Sequence, residues 1–185
     1  MNPSYHLIGL TGLAGSGKDT VRELLQREHG FVGLAFAEPI RGMLRELLTS
    51  TGIDPAWMDT RELKEKPITG LDVSYRQMAQ TLGTEWGRNL QPDFWLRIAD
   101  KFLASIAEQG ETHFVISDVR FHNEAAWVRE RGGVIWRIER QGIEPVRPHA
   151  SEAEIGQLQV DAVIPNHGSL EELENAVWQA LGAFA

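Results

Sequence analysis

Along the chain, short apolar runs alternate with segments in which apolar residues recur every three or four positions. The runs HLIGLTG (6–12), FVGLAF (31–36), HFVISDV (113–119), GVIWRIE (133–139) and DAVIPN (161–166) have the length and composition of buried strands. Helical patterns lie between them. Thr20 to His29 follows the first strand, and Ile40, Met43, Leu44, Leu47 and Leu48 then fall on one helical face. Ser74 and Gln77 stand at capping-box spacing, so a helix is predicted to open SYRQMAQTLGTEWG. DFWLRIADKFLASIAEQG predicts another, ended by Gly110, and HNEAAWVRERG a further one. Ser169 with Glu172 caps a last helix whose stripe is Leu170, Leu173, Val177, Leu181 and Phe184. Residues 52–73 are polar, carry Pro55, Pro67 and Gly70, and predict an irregular excursion. The alternation implies an α/β fold with a mainly parallel, doubly wound sheet and helices on both faces.

Composition narrows this picture. The 185 residues fit one domain with a sizeable core. No apolar run approaches the roughly 20 residues that span a bilayer. MNPSYHLIGL lacks a basic region and reads as a first strand rather than a signal peptide. With no cysteine, disulfides, thiol catalysis and cysteine metal sites are excluded, and a cytoplasmic location is expected. A net charge of −8 argues against a broad nucleic-acid or membrane surface. It leaves room for a small anion in a local basic pocket. Arginine outnumbers lysine 14 to 4, which suits bidentate phosphate binding; genomic base composition explains the bias equally well.

Three clusters fall where strands end, and ligands of such sheets sit beyond the carboxyl ends of strands. The first is GLTGLAGSGKDTV (9–21), which contains G-x-x-x-x-G-K leading into a helix. Backbone N–H groups of Gly12, Leu13, Ala14, Gly15, Ser16 and Gly17 are placed to surround phosphate oxygens, with Lys18 adding a full charge. The usual Ser or Thr after the lysine is replaced by Asp19, and the hydroxyl comes one step later at Thr20. Asp19 is a candidate to hold Mg²⁺ directly or through water; the plainer alternative is an acid stabilised at a helix start. The second cluster is Phe36-Ala37-Glu38-Pro39. The third is Asp118-Val119-Arg120, where Asp118 is a candidate to orient Mg²⁺ and Arg120 to clamp a transferred phosphoryl group. A ligand-free Asp118–Arg120 turn pair is the alternative.

Arg76, Gln80, Thr84 and Arg88 recur every fourth residue and make one polar helix face. Solvation is the ordinary explanation, while the nearby Tyr75, Trp86 and Trp95 allow a substrate-facing wall. Arg76 and Arg88 lie about 18 Å apart along a straight helix, so sharing one phosphate would need a bend, for which Gly83 and Gly87 are the sites. Lys64 and Lys66 sit in the excursion, where exposed lysines are ordinary. In RPHASEAE, Ser151 and Glu154 form another capping-box pair, and His149 is either a proton carrier or a loop histidine. No histidine pair, carboxylate array or Gly-x-Ser-x-Gly elbow points to a structural metal or a hydrolase.

In order, GSGKDT, FAEPIR, KEKPITG with SYRQMAQTLGTEWGR, DFW, ISDVRFHNEA, GGVIWRIER, HASE and NHGSLEEL resemble the deoxynucleoside monophosphate kinases of tailed bacteriophages and their bacterial relatives. The resemblance spans nearly the whole chain, and SDVR and NHG are also similar to animal-type phosphomevalonate kinases. It implies a P-loop kinase fold: three layers, α/β/α, around a five-stranded parallel sheet. It also implies one domain over 1–185, with an acceptor-binding insertion at about 52–92 and a short lid-like loop at about 141–152. Gly12 to Thr20 would cradle ATP phosphates. Ala37, Arg41, Lys64, Arg76, Gln80, Thr84, Arg88, Trp95 and Arg120 would serve the acceptor. Asp19, Thr20 and Asp118 would meet Mg²⁺. Asn166 and Gly168 would lie near the donor base, and Arg140, Arg147 and His149 near the lid.

The expectation is therefore a Mg·ATP-dependent kinase acting on a deoxynucleoside 5′-monophosphate, with small nucleotides as partners and a homodimer as one assembly. Its rivals are a P-loop kinase for phosphomevalonate or dephospho-coenzyme A, and a nucleotide-binding regulator without turnover.

Overall fold

The computed structural model describes residues 5–143 and 154–184. By its internal contacts the chain divides into two compact units, Met1–Ala35 with Asp100–Ala185, and Phe36–Ala99. In the first unit β1 (His6–Thr11) pairs with both β3 (His113–Ile116) and β4 (Val134–Glu139). β2 (Val32–Leu34) adds beyond β3, and β5 (Ala162–Pro165) beyond β4. The order is β2-β3-β1-β4-β5 and every pairing is parallel. The central position of β1 puts the loop that follows it in the middle of the sheet's carboxyl edge.

Alternation along the strands divides the core. Ile8, Leu10, Val115, Trp136 and Ile138 face α1 (Lys18–His29) and the last helix (Leu170–Phe184), packing on Val21, Leu24, Leu25, Leu173 and Val177. On the opposite face, Ala125, Trp127 and Val128 of the helix His122–Glu130 are buried against β1 and β4. The Ser169–Glu172 cap forms as expected, each residue bonding the other's backbone N–H. Leu170, expected on the buried stripe, is exposed: it is the first residue of the helix, a full turn outside the packed pair Leu173 and Val177.

The second unit has its own core of Ile40, Leu44, Leu48, Met58, Ile68, Tyr75 and Trp95. α2 (Glu38–Ser50) contributes its i, i+4, i+8 row, whereas Met43 and Leu47 are exposed on the flank, so the apolar stripe is narrower than its sequence pattern. The excursion contains a short 3₁₀ turn (Pro55–Met58) and the five-residue α3 (Arg61–Glu65). The Ser74–Gln77 capping box opens α4 (Tyr75–Gln80), which continues directly into a π-helix over Thr81–Arg88. α5 (Phe94–Ala107) follows, and the two later helices named above are α6 (His122–Glu130) and α7 (Leu170–Phe184).

Candidate functional site

The loop between β1 and α1 is held in a conformation that only its glycines allow. Gly12 (φ +140°) and Gly17 (φ +102°) occupy the region that L side chains rarely adopt. A Cβ on Gly12 would come 2.5 Å from the Ile138 carbonyl oxygen, and one on Gly17 would overlap the Asn166 side-chain amide. Within the loop Ser16 N–H donates to the Leu13 carbonyl at 3.1 Å. Lys18 is the first residue of α1, and its ammonium folds back to donate to the carbonyls of Gly12 (2.7 Å) and Leu13 (2.8 Å). The loop thus combines a helix N-terminus, left-handed glycines and one cation over its own curve, which is the chemistry of a phosphate cradle. Asp19 is exposed, with Arg22 4.0 Å away, and Thr20 is half-buried.

Asp118 reaches the same edge by a backbone crossover. Ser117 N–H donates to Leu34 of β2, and two residues later Val119 N–H donates to Leu10 of β1, both at 3.1 Å. Asp118, between them, is 8% exposed as a residue. The backbone of Arg120 is fixed by Glu124, whose buried Oε2 accepts from the N–H groups of Arg120 (2.7 Å) and Phe121 (3.1 Å). Sequence reasoning passed over Glu124. Its signal was an acid three residues after Phe121 at a helix start, but Phe121 is not a recognisable cap. Buried hydroxyls of Thr11, Ser16 and Ser117 have no hydrogen-bond partner among the described residues.

On the β5 side Asn166 donates its amide to the Ser16 carbonyl at 2.8 Å. Gly168 lies against the carboxylate of the exposed Glu172, which would have to shift to admit a side chain there. Arg140 is exposed just past β4. Arg147, His149, Ser151 and Glu152, with most of the lid-like loop, lie outside the described residues. Among the described residues, no three His, Cys, Asp or Glu side chains form a metal cluster, and no helix is long and apolar enough to cross a membrane. One or two carboxylates beside a phosphate cradle are nonetheless what Mg²⁺ uses when phosphates complete its shell, so Asp19, Thr20 and Asp118 fit that ion.

The second unit carries the other candidates. Ala37 caps α2, and Arg41, partly exposed, pairs with Glu38 at 3.4 Å. Lys64 is half-buried on α3, and Arg76 Nε bonds Glu65 Oε1. Arg76, Gln80, Thr84 and Arg88 are all half-buried, while Gln77, Thr81 and Glu85 between them are exposed. The π-helix explains how they keep one side. Four residues of α-helix overshoot a turn by about 40°, whereas four residues of the wider i→i+5 turn fall short of one. The α lead and the π lag offset each other. Tyr75 and Trp95 are core residues rather than an open wall. Trp95 is 4% exposed, and its Nε1 donates to the Gly83 carbonyl at 2.7 Å. Trp86 is exposed and meets Phe94 edge-on at 5.5 Å.

The chain is similar to known proteins along much of its length. The family model described as deoxynucleotide monophosphate kinase matches residues 66–177. A putative deoxynucleotide monophosphate kinase of Acanthamoeba polyphaga mimivirus is 32% identical, over 92% of this chain and 93% of its own length. The deoxynucleotide monophosphate kinase of Escherichia phage RB69 is 31% identical over 58% of this chain, which spans 45% of that protein. A sugar kinase structure from Janibacter sp. HTCC2649 superposes with a TM-score of 0.51 at 17% identity, covering 99% of each chain. The five-stranded parallel sheet with its flanking helices is therefore the P-loop kinase fold. Taken with the loop geometry and the matched residues, the chain belongs to the deoxynucleotide monophosphate kinase family.

Proposed function

We propose that this protein transfers the γ-phosphoryl group of ATP to a deoxynucleoside 5′-monophosphate, giving the diphosphate. The observation that carries the reading is the Gly12–Lys18 cradle at the central strand, in a chain of this family. Gly12, Leu13, Ala14, Gly15, Ser16, Gly17, Lys18, Asp19 and Thr20 bind the donor phosphates, with Arg140 and Gly168 at the nucleoside end. Asp19, Thr20 and Asp118 hold Mg²⁺ directly or through water; when bound, the ion neutralises the phosphate charge. Lys18 and Arg120 stabilise the charge that spreads over the transferred group. Ala37, Arg41, Lys64, Arg76, Gln80, Thr84 and Arg88 orient the acceptor. An acceptor phosphate is already nucleophilic, so the protein's part is to position reactants and exclude water.

The test is ADP release across an acceptor panel: the four deoxynucleoside monophosphates, their ribose counterparts, phosphomevalonate and dephospho-coenzyme A. Release that depends on a deoxynucleoside monophosphate is the expected result. Preference for phosphomevalonate or dephospho-coenzyme A would replace the acceptor, and ATP binding without acceptor-dependent release would make the chain a regulator.

A further inference from the structure

Asn166 is held by two separate bonds. Its backbone N–H donates to the Glu139 carbonyl at 2.7 Å, which carries the β4–β5 ladder one residue past Pro165. Its side-chain amide donates to the Ser16 carbonyl at 2.8 Å, across 150 positions of sequence. A carbonyl only accepts, so the amide nitrogen is the atom that must face it. The peptide joining Ser16 to Gly17 is planar and trans, so the Ser16 C=O and the Gly17 N–H point in opposite directions. With the oxygen turned to Asn166, the Gly17 N–H is turned away from β5. The neighbouring Ser16 N–H is already taken by Leu13, whereas no acceptor among the described residues takes the Gly17 N–H. Gly17 permits this close approach, because a Cβ there would collide with the same amide.

We propose that Asn166 is a positioning residue for the phosphate loop. By holding the Ser16 carbonyl it presents the Gly17 N–H to the donor's phosphate chain, and it does not read the donor base. This rests on the Gly12–Thr20 loop being the donor site. It assigns to the end of the last strand a task that a base-contacting loop would not have: fixing the direction of one backbone donor in a loop 150 residues earlier.

Two ligands separate phosphate from base. Dissociation constants for ATP and for inorganic tripolyphosphate, which has no base, are to be measured on the full chain, Asn166→Ala and the similarly shaped Asn166→Leu. Melting temperatures check that each variant is folded. Loss of a donor aimed at charged oxygen should weaken both ligands by the same factor, about ten- to a hundredfold. The preference for ATP over GTP in turnover should be unaltered. Weaker ATP binding with unchanged tripolyphosphate binding, or a shifted ATP-to-GTP preference, would mean a base contact and overturn the proposal. So would unchanged affinity for both ligands. If the unsubstituted chain binds neither, the donor-site reading itself is removed and the proposal with it.

Discussion

The indole of Trp95 lies so close to Gly87 that a Cβ there would come within 2.5 Å of the ring, while its Nε1 holds the carbonyl of Gly83 at 2.7 Å. Both glycines belong to the π-helix, so one buried side chain fills and ties down the wide turn that aligns Thr84 and Arg88 with Arg76 and Gln80. Trp95→Phe keeps most of the ring and deletes the donor. Losing this one hydrogen bond costs about 0.5–1.5 kcal/mol, and the melting temperature should fall by a few degrees. The acceptor KM should rise while the ATP dissociation constant stays put. An unchanged acceptor KM in the folded variant would confine Trp95 to packing.

Lys18 is the one full positive charge within the loop, and it already sits over the loop's own carbonyls. Lys18→Ala should lower acceptor-dependent turnover by at least about 100-fold, the scale of losing a preorganised charge contact. Near-normal activity in the folded protein would rule out the donor site.

Asp19 is exposed at the first turn of α1, so its two roles can be told apart. As a Mg²⁺ partner, Asp19→Asn should raise the Mg²⁺ concentration needed for half-maximal activity. As a helix-start acid alone, it should cost only about 0.3–1 kcal/mol of stability and leave the Mg²⁺ titration where it was. Titrating both proteins decides the matter.

Arg76 is tied to Glu65 of α3, whereas Arg88 ends the π-helix about three turns further along. They should divide the work, one on the acceptor phosphate and the other on its base or sugar. Replacing the phosphate-binding one should lower kcat/KM for all four deoxynucleoside monophosphates alike, and replacing the other should reorder them. If neither Arg76→Ala nor Arg88→Ala alters acceptor kinetics, the face is solvated and the acceptor site lies around Arg41, Lys64 and Arg120.

At the amino ends of β1 and β3, the His6 and His113 rings stack at 4.4 Å with their planes 8° apart. Burial holds the His113 imidazole below the ordinary histidine range; His6 lowers it further, against an opposing effect of Glu111. The folded chain then binds fewer protons than the unfolded one as pH drops through about 6.5. Stability should therefore decline on acidification from pH 7.5 to 5.5. In His113→Phe, which keeps an aromatic ring beside Phe31, the decline should be smaller. Equal declines in urea midpoint for the two proteins would refute this.

The strands, the capped helices and the phosphate loop were legible in the sequence because their signals are local. A buried strand needs a run of apolar residues, a capping box needs four positions, and a glycine loop needs its own spacing. The polar stripe from Arg76 to Arg88 was also legible as a spacing. Its geometry was not, since a straight α-helix would have spiralled the four residues apart, whereas the chain winds as a π-helix over Thr81–Arg88, where Trp95 bonds the Gly83 carbonyl.

Other features depended on distance in space. Tyr75 and Trp95 look like a wall in one dimension and are a core in three, because α2 and the excursion supply apolar side chains to cover them. Met43, Leu47 and Leu170 have helical spacing but are left exposed among the described residues. Glu124 and Asn166 stand in the stretches ISDVRFHNEA and NHGSLEEL, but neither stretch says which group the side chain bonds. Glu124 bonds the backbone at the start of its own helix, whereas the group that Asn166 bonds depends on where the parallel sheet sets the ends of β1 and β5. The sequence by itself determined the chemistry available at those ends. Only the folded sheet decided which amide would turn the Ser16 carbonyl, because a hydrogen bond extends about 3 Å and the residues it joins here are 150 positions apart.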